Sequence, residues 1–361
     1  PFIDIHSIIF CTLSLYTFSL ALVLKKNYFW FLTPIFLILS FFSKQIPSPY
    51  LLFIFSTTLI VCIFFLKNIN KKNILYIFLG SIFSFILVLS IFFINNIPIN
   101  NFLIQYIFYP LSLGEDRISQ LNIDFKNLIT QFKFIYFASI PLIICLFFLI
   151  KKNKNTEEIN DLIILLVFLL SLGAFIYTQL ITKNQVFIFF LIPITAAYAH
   201  LYIKKYFNKK YLIYFIMIIF IFSTIKYHLR FNHNKKFMEL TGANFALAED
   251  ASILDKRLKG LKWITPHYLN NPKKELNLLI DIKKILENVK EKKIIVTDYQ
   301  FFSSLIQNKF SSPNKWYDGL SIPKKESKYY DMHKEFFLNK IKNNEIQKIF
   351  FIGKEKHKMN F

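Results

Sequence analysis

The chain has 361 residues and a net charge of +22, yet 54% of it is hydrophobic and 45 residues are phenylalanine. Its apolar residues come in long unbroken runs rather than in alternation, which excludes an ordinary soluble domain and places the chain in the membrane class. The positive charge does not point to nucleic acid as a partner, because much of it lies in short loops between apolar runs, where lysine orients helices.

Eight apolar runs approach the length that crosses a bilayer of roughly 30 Å at about 1.5 Å per residue. They cover about 8–24, 28–42, 50–66, 74–94, 134–150, 162–181, 186–203 and 211–225. Their cysteines, Cys11, Cys62 and Cys145, are far apart and show no disulfide or metal spacing, so they read as core or lipid-facing filler. The start at Pro1, without methionine or a signal-peptide pattern, gives the expectation that a natural N-terminal part is missing.

Lysine counting sets the expected orientation. The loops after the first, third, fifth and seventh runs hold Lys25, Lys26, Lys67, Lys71, Lys72, Lys151, Lys152, Lys154, Lys204, Lys205, Lys209 and Lys210. The alternate connections hold only Lys44, Arg117, Lys126, Lys133 and Lys183. The basic loops are therefore expected in the cytoplasm. Lys44, the long connection 95–133, Lys183 and everything after 225 are expected on the outer face.

Within 95–133, the stretch from Phe102 to Leu111 is apolar with polar breaks at Gln105 and Tyr109, as suits a helix lying in the interface. The cluster Glu115-Asp116-Arg117 follows it. Beyond 225 the chain carries 27 Lys/Arg against 15 Asp/Glu and its apolar runs shrink to strand length. Spacing predicts helices at 277–288, 299–307 and 328–343, with strands at 293–298 and 347–353. The expected architecture is thus a polytopic α-helical membrane region, 1–225, followed by a small α/β extracytoplasmic domain, 226–361. No Gly-rich phosphate loop or catalytic signature stands out in that domain.

Candidate site residues are the polar groups at the outer helix ends: Asp4, His6, Lys44, Gln45, Glu115, Asp116, Arg117 and Lys183. Cations beside carboxylates at a bilayer surface suit a lipid-linked phosphate, because lysine or arginine pairs with the phosphate and a carboxylate can deprotonate an acceptor hydroxyl. Each also has a plainer reading: a snorkelling anchor for Lys44, a solvated helix end for Asp4 and His6, and a hydrated loop tip for 115–117.

The segment Phe41-Phe-Ser-Lys-Gln-Ile-Pro47 resembles the Leu-Thr-Lys-Gly-Pro type of motif in GT-C membrane glycosyltransferases, such as aminoarabinose transferases of lipid A and protein O-mannosyltransferases. The run from Lys183 to Pro193 is similar to their basic residue followed by an aromatic-rich stretch into Leu-Leu-Pro. This chain departs from the pattern in having Gln45 where glycine is commoner, with the proline two positions later. The resemblance implies sugar transfer from a polyprenyl-phosphate donor to a lipid, glycan or protein acceptor on the outer side of a bacterial cytoplasmic membrane. It implies that Lys44 meets the donor phosphate, with Lys183 or Arg117 as helpers, and that Asp4, Glu115 or Asp116 positions sugar or acceptor. It also implies that 102–113 borders a groove for the polyprenyl chain and that the principal catalytic aspartate lies upstream of Pro1. No cofactor is expected, and no metal-ligand set is complete in the sequence. The alternatives are a transporter, flippase or polymerase-like protein for lipid-linked glycans, or a non-catalytic membrane scaffold.

Overall fold

The structure, a computed structural model, describes residues 3–67, 69–113, 125–152, 155–182, 187–234, 240, 242–297, 300–306, 312–314, 317 and 322–353. The chain divides into two compact units, Pro1–Tyr227 and His228–Phe361.

Among the described residues, the regular structure of the first unit is all helix. Its long helices are α1 (Ile3–Leu24), α2 (Asn27–Ser43), α3 (Ser48–Val61, continued by a π turn to Leu66), α4 (Lys71–Ile94), α6 (Phe125–Lys151), α7 (Thr156–Thr182), α8 (Phe187–Tyr206) and α9 (Lys210–Tyr227). A short α5 (Ile99–Phe102) runs into a π turn, Leu103–Phe108. Each of the eight apolar runs falls on one of the long helices. Among the described residues, six helical stretches are long and apolar enough to cross a membrane: Ile5–Leu24, Ser48–Leu66, Lys71–Ile94, Phe132–Lys151, Thr156–Thr182 and Lys210–Arg230. At 17 residues α2 falls short of that length.

Between apolar helices in lipid there is no hydrophobic drive to associate, so small residues and hydroxyls decide which helices touch. The α1–α2 pair shows this. The two helices run antiparallel across the two-residue turn Lys25–Lys26, in which Lys25 takes a left-handed φ of 53°. Ser7 meets Ser40, Ser14 Oγ donates to the Thr33 carbonyl at 2.8 Å, and Thr33 Oγ1 donates to Thr17 Oγ1 at 3.1 Å. Near the turn, Phe18 packs edge-on to Trp30 and stacks on Phe55 of α3 at 4.8 Å.

Helix α4 joins the other side of α2 through Gly80. A Cβ there would lie 2.2 Å from the Phe31 carbonyl oxygen and 2.9 Å from Pro34 Cγ, so only glycine allows this approach. Otherwise α4 and α9 present mostly exposed Phe, Ile and Leu, as lipid-facing helices do. Helix α7 is the opposite case, with a buried stripe from Glu158 to Ile181 against α1, α3, α6 and α8.

The N-terminus of α7 carries a reciprocal cap. The Asn155 side chain accepts from the Glu158 N–H, and the Glu158 carboxylate accepts from the Asn155 N–H.

The second unit is a small α/β body. Strands β1 (Glu249–Asp250) and β2 (Lys262–Trp263) pair antiparallel, and β3 (Lys293–Val296) and β4 (Lys348–Phe351) pair in parallel, with Ile294 opposite Ile349. A parallel pair needs a long crossover. Here the crossover contains α11 (Phe301–Leu305) and α12 (Tyr330–Asn343). Helix α10 (Pro272–Asn288) precedes β3 and packs Leu286 against Ile295 and Phe302, while Phe337 of α12 packs with Ile294, Val296 and Tyr317. Helix α10 starts five residues earlier than its Leu/Ile spacing predicts. Asn271 caps it by accepting from the Lys274 N–H, and Pro272 fixes the first helical φ.

Candidate functional site

Lys44 ends α2, and its backbone turns to an extended conformation with φ −158°. The connection Lys44–Pro47 contains a cis Ile46–Pro47 bond and leads directly into α3. Lys44, Gln45 and Ile46 are half-buried, whereas Pro47 and Ser48 are buried.

The connection is held from beneath by a cluster of small polar side chains. Ser40 Oγ donates to the Ser7 carbonyl at 2.8 Å, accepts from Ser48 Oγ at 3.0 Å, and lies 3.0 Å from both Ser7 Oγ and Cys11 Sγ. The Lys44 N–H donates to the Ser40 carbonyl, and Ser7 Oγ lies 3.5 Å from the Lys44 carbonyl. Cys11 is buried in the helical core, as its sequence setting predicts, and also touches this polar hub.

A roof lies beside the connection. Gln45 Nε2 donates to the Tyr106 carbonyl at 3.0 Å, and the Tyr106 hydroxyl donates to the Phe41 carbonyl at 2.5 Å. Tyr106 stacks on Phe42 and Phe102, and Phe102 packs on Phe92 of α4. Burial pushes the Tyr106 phenol up to about 12, so it stays protonated and donates at neutral pH.

Directly below this roof, α2 and α4 diverge from their contact at Gly80 to leave an apolar groove of about 240 Å³. Ile38 and Phe42 form one wall, and Phe83, Leu87, Ile91 and Phe92 form the other. From Ile35 to Phe42 the wall runs about 10 Å along the helix axis.

Of the residues singled out in the sequence, Lys44 and Gln45 follow closely on Phe42, the last residue of α2 to line the groove. His6 is exposed in the first turns of α1, next to Ser7 and so at the same end of the bundle. Asp4 occupies the first turn of α1, and its side chain lies outside the described residues, as do Glu115, Asp116, Arg117 and Lys183. Among the described residues, no group of three or more His, Cys, Asp and Glu is placed to hold a metal ion.

Comparison of the chain with protein families, curated proteins and solved structures found no match.

Sequence reasoning did not single out Tyr106, Ser40, Ser7, Ser48 or a second polar cluster at the opposite helix ends. In that cluster Lys205 pairs with both Asp161 and Glu157 at 2.6 Å, and Tyr206 donates to Asp161. Lys152 pairs with Glu158, while Asn160 Nδ2 donates to the Leu22 carbonyl at 3.1 Å. A signal was present: three acids, Glu157, Glu158 and Asp161, open a run otherwise flanked by lysines. These contacts put the ends of α1, α6 and α8 and the start of α7 on one side. The Lys44 connection and the start of α1 lie on the other.

Proposed function

We propose that this chain seats the lipid-phosphate donor of a membrane glycosyltransferase, with Lys44 meeting the phosphate at the outer face of a cytoplasmic membrane. One observation carries the reading: a half-buried lysine two residues beyond Phe42, which lines an apolar groove and stacks under the Tyr106 ring. A polyprenyl phosphate has that same division, an apolar chain joined to a compact anion. The groove accepts the first part of the chain between α2 and α4, and Lys44 supplies the cation beside it.

In the reaction, an acceptor oxygen attacks C1 of the sugar, the C1–O bond to phosphate breaks, and the phosphate leaves with the electron pair. A fixed ammonium at the phosphate stabilises the charge that grows there. The acceptor's proton passes to a general base. Arg117 and Lys183 are proposed as auxiliary cations, and Asp4, Glu115 or Asp116 as the groups that position sugar or acceptor.

The distribution of lysine supports the outer location. The end of the bundle with Leu22, Asn160 and Lys205 is also the end where the lysine-rich turns cluster, and lysine marks the cytoplasmic side. On this reading, eight helices span the membrane and residues 228–361 lie outside.

The test is binding in nanodiscs. Lys44→Ala should weaken binding of farnesyl phosphate at least about tenfold, roughly 1.4 kcal/mol, and leave membrane insertion intact. Unchanged affinity would sink the assignment of Lys44 to the phosphate.

A further inference from the structure

We infer that the loop between β1 and β2, residues 251–261, docks the second unit on an anionic lipid surface. Ile253 and Leu261 enter the headgroup region, while Lys256, Lys259 and, at the loop's base, Lys262 meet the lipid phosphates. Nothing in this depends on the role proposed for Lys44.

The loop is a built projection rather than a loose tether. The Ala251 N–H donates to the Leu261 carbonyl at 3.0 Å, so the two arms meet at the base. At the tip the Leu261 N–H returns to the Leu258 carbonyl at 3.0 Å, around Gly260 with its left-handed φ of 89°. Leu254 and Leu258 pack inward with Leu276 of α10 and Leu305 of α11. The Arg257 guanidinium donates to the Leu305 carbonyl, and Lys283 of α10 donates to the Leu254 carbonyl at 3.2 Å.

What this leaves outside is apolar and cationic. Ile253 is 55% exposed and Leu261 58% exposed, although Ile253 lies only two residues from Ala251 and so beside Leu261. Lys256, Lys259 and Lys262 are exposed as well. From Ile253 to Lys262 the chain carries four cations against one carboxylate. That carboxylate, Asp255, is taken by Arg257 and Lys283, each at 2.9 Å. At the base, Asp250 faces Lys262 in the strand register and accepts from the Ser252 N–H. Among the described residues no ion pair within 4.0 Å engages Lys256, Lys259 or Lys262.

Exposed apolar side chains ringed by lysine are the pattern of an interfacial anchor: the apolar atoms leave water, and the ammonium groups stay at the level of the phosphates. Other exposed apolar residues of this unit are set differently. Leu278 and Ile285 of α10 flank Asp281 on one helix face, and Leu338 of α12 follows Glu335 by one turn, so each would bring a carboxylate toward an anionic surface. A protein partner fits the loop less well, because the centres of protein interfaces are depleted in lysine and rich in aromatic rings. The exposed residues here are three lysines, one isoleucine and one leucine.

A bilayer is also the surface always at hand. The second unit follows directly on Lys210–Arg230, a helix long enough to cross a membrane. The segment from Arg230 to Glu249 reaches no more than about 65 Å even when fully extended. The tether keeps the loop at high effective concentration near lipid, so a contact of modest strength suffices.

The experiment uses the full chain, with Cys11, Cys62 and Cys145 replaced by alanine, in nanodiscs of phosphatidylcholine alone or mixed equally with phosphatidylglycerol. Leu261→Cys carries an environment-sensitive dye, and a fraction of the lipid carries a nitroxide just below the headgroup. The dye should be quenched at least about twofold more in the mixed discs than in phosphatidylcholine. The same dye at Lys342→Cys, on α12, should not be quenched in either. Lys256→Gln/Lys259→Gln/Lys262→Gln, or raised salt on the unaltered lysines, should lower the docked-to-free ratio at least about tenfold. The salt arm needs no folded variant. Three results would each overturn the inference: no quenching at Leu261 in the mixed discs, equal quenching at Lys342, or quenching indifferent to lipid charge and to salt. A dye shielded from water but not quenched by the lipid nitroxide would also overturn it, in favour of a protein covering the loop.

Discussion

Gln45 and Tyr106, 61 residues apart, are tied by a hydrogen bond from the Gln45 amide to the Tyr106 carbonyl at 3.0 Å. The Tyr106 hydroxyl closes the loop onto Phe41, so the turn after α2 and the short helix after α4 hold one another. Tyr106→Phe keeps the ring stack and removes that second bond. It should lower stability by about 1 kcal/mol and weaken farnesyl phosphate binding, as thermal melting and titration would show. A variant indistinguishable from wild type would mean that the ring stack and the Gln45 bond hold the roof without the hydroxyl.

The contact between α2 and α4 is set at Gly80. Gly80→Ala places a methyl 2.2 Å from the Phe31 carbonyl oxygen, against backbone rather than a yielding side chain. The two helices must separate, at an expected loss of roughly 1–3 kcal/mol. Because this contact sets the spacing of the two helices that line the groove, lipid binding should fall with it. Melting of the variant in detergent tests the first effect and farnesyl phosphate titration the second.

At the opposite end, Lys205 neutralises the buried Asp161. Lys205→Ala leaves that carboxylate without its cation and should destabilise the helical unit more than Asp161→Asn does. Combining the two should recover part of the loss, because removing both charges is milder than stranding one. Melting temperatures of the three variants decide it: a double variant weaker than both singles contradicts the pairing.

In the second unit, Asp255 accepts from both Arg257 and Lys283. These cations hold its carboxyl well below the ordinary carboxylate range. A depressed folded-state pKa gives stability that is present above the unfolded value and lost as pH falls through and below it. Asp255→Asn should therefore melt earlier than wild type at pH 7, with the gap closing as pH falls below about 4. A gap independent of pH would assign the effect to packing.

His333 titrates in the same sense. Burial pushes its imidazole below the usual value, and Nε2 lies 2.9 Å from the Asn314 amide nitrogen, which can donate only to an unprotonated ring. The unfolded chain takes up the proton first, so His333 should subtract stability as pH falls below about 6.5. His333→Gln should remove that slope from the melting profile between pH 7 and 5.

The orientation can be checked directly. With Cys11, Cys62 and Cys145 replaced, a cysteine at Lys284 should react with an impermeant thiol reagent added from outside, and one at Lys151 should not. The reverse pattern would overturn the outer placement of Lys44.

The helices were legible because a run of apolar residues as long as a bilayer has few other uses. Boundaries were less so. The helix at 272–288 was expected from 277, since its apolar spacing begins at Leu276 while its true start is written in the Asn271–Pro272 cap. Lys44 stood out as a charge between two apolar runs. Its supports did not, because Ser7, Cys11, Ser40 and Ser48 look like minor breaks in a hydrophobic sequence until the α1–α2 register brings them together. Tyr106 was hidden for the same reason: nothing local to residues 102–113 announces a partner at residue 45.

The α1–α2 seam also bears on how the protein is made. Two helices joined by two residues, with Ser14, Thr33 and Ser40 already bonded across the pair, turn those hydroxyls away from lipid. Such a hairpin can leave the translocon as one piece while α3 is still being synthesised. Ser48, eight residues after Ser40, then arrives as the last donor to the hub. The order of synthesis thus assembles the support beneath Lys44 before any of the lipid-facing helix α4 exists.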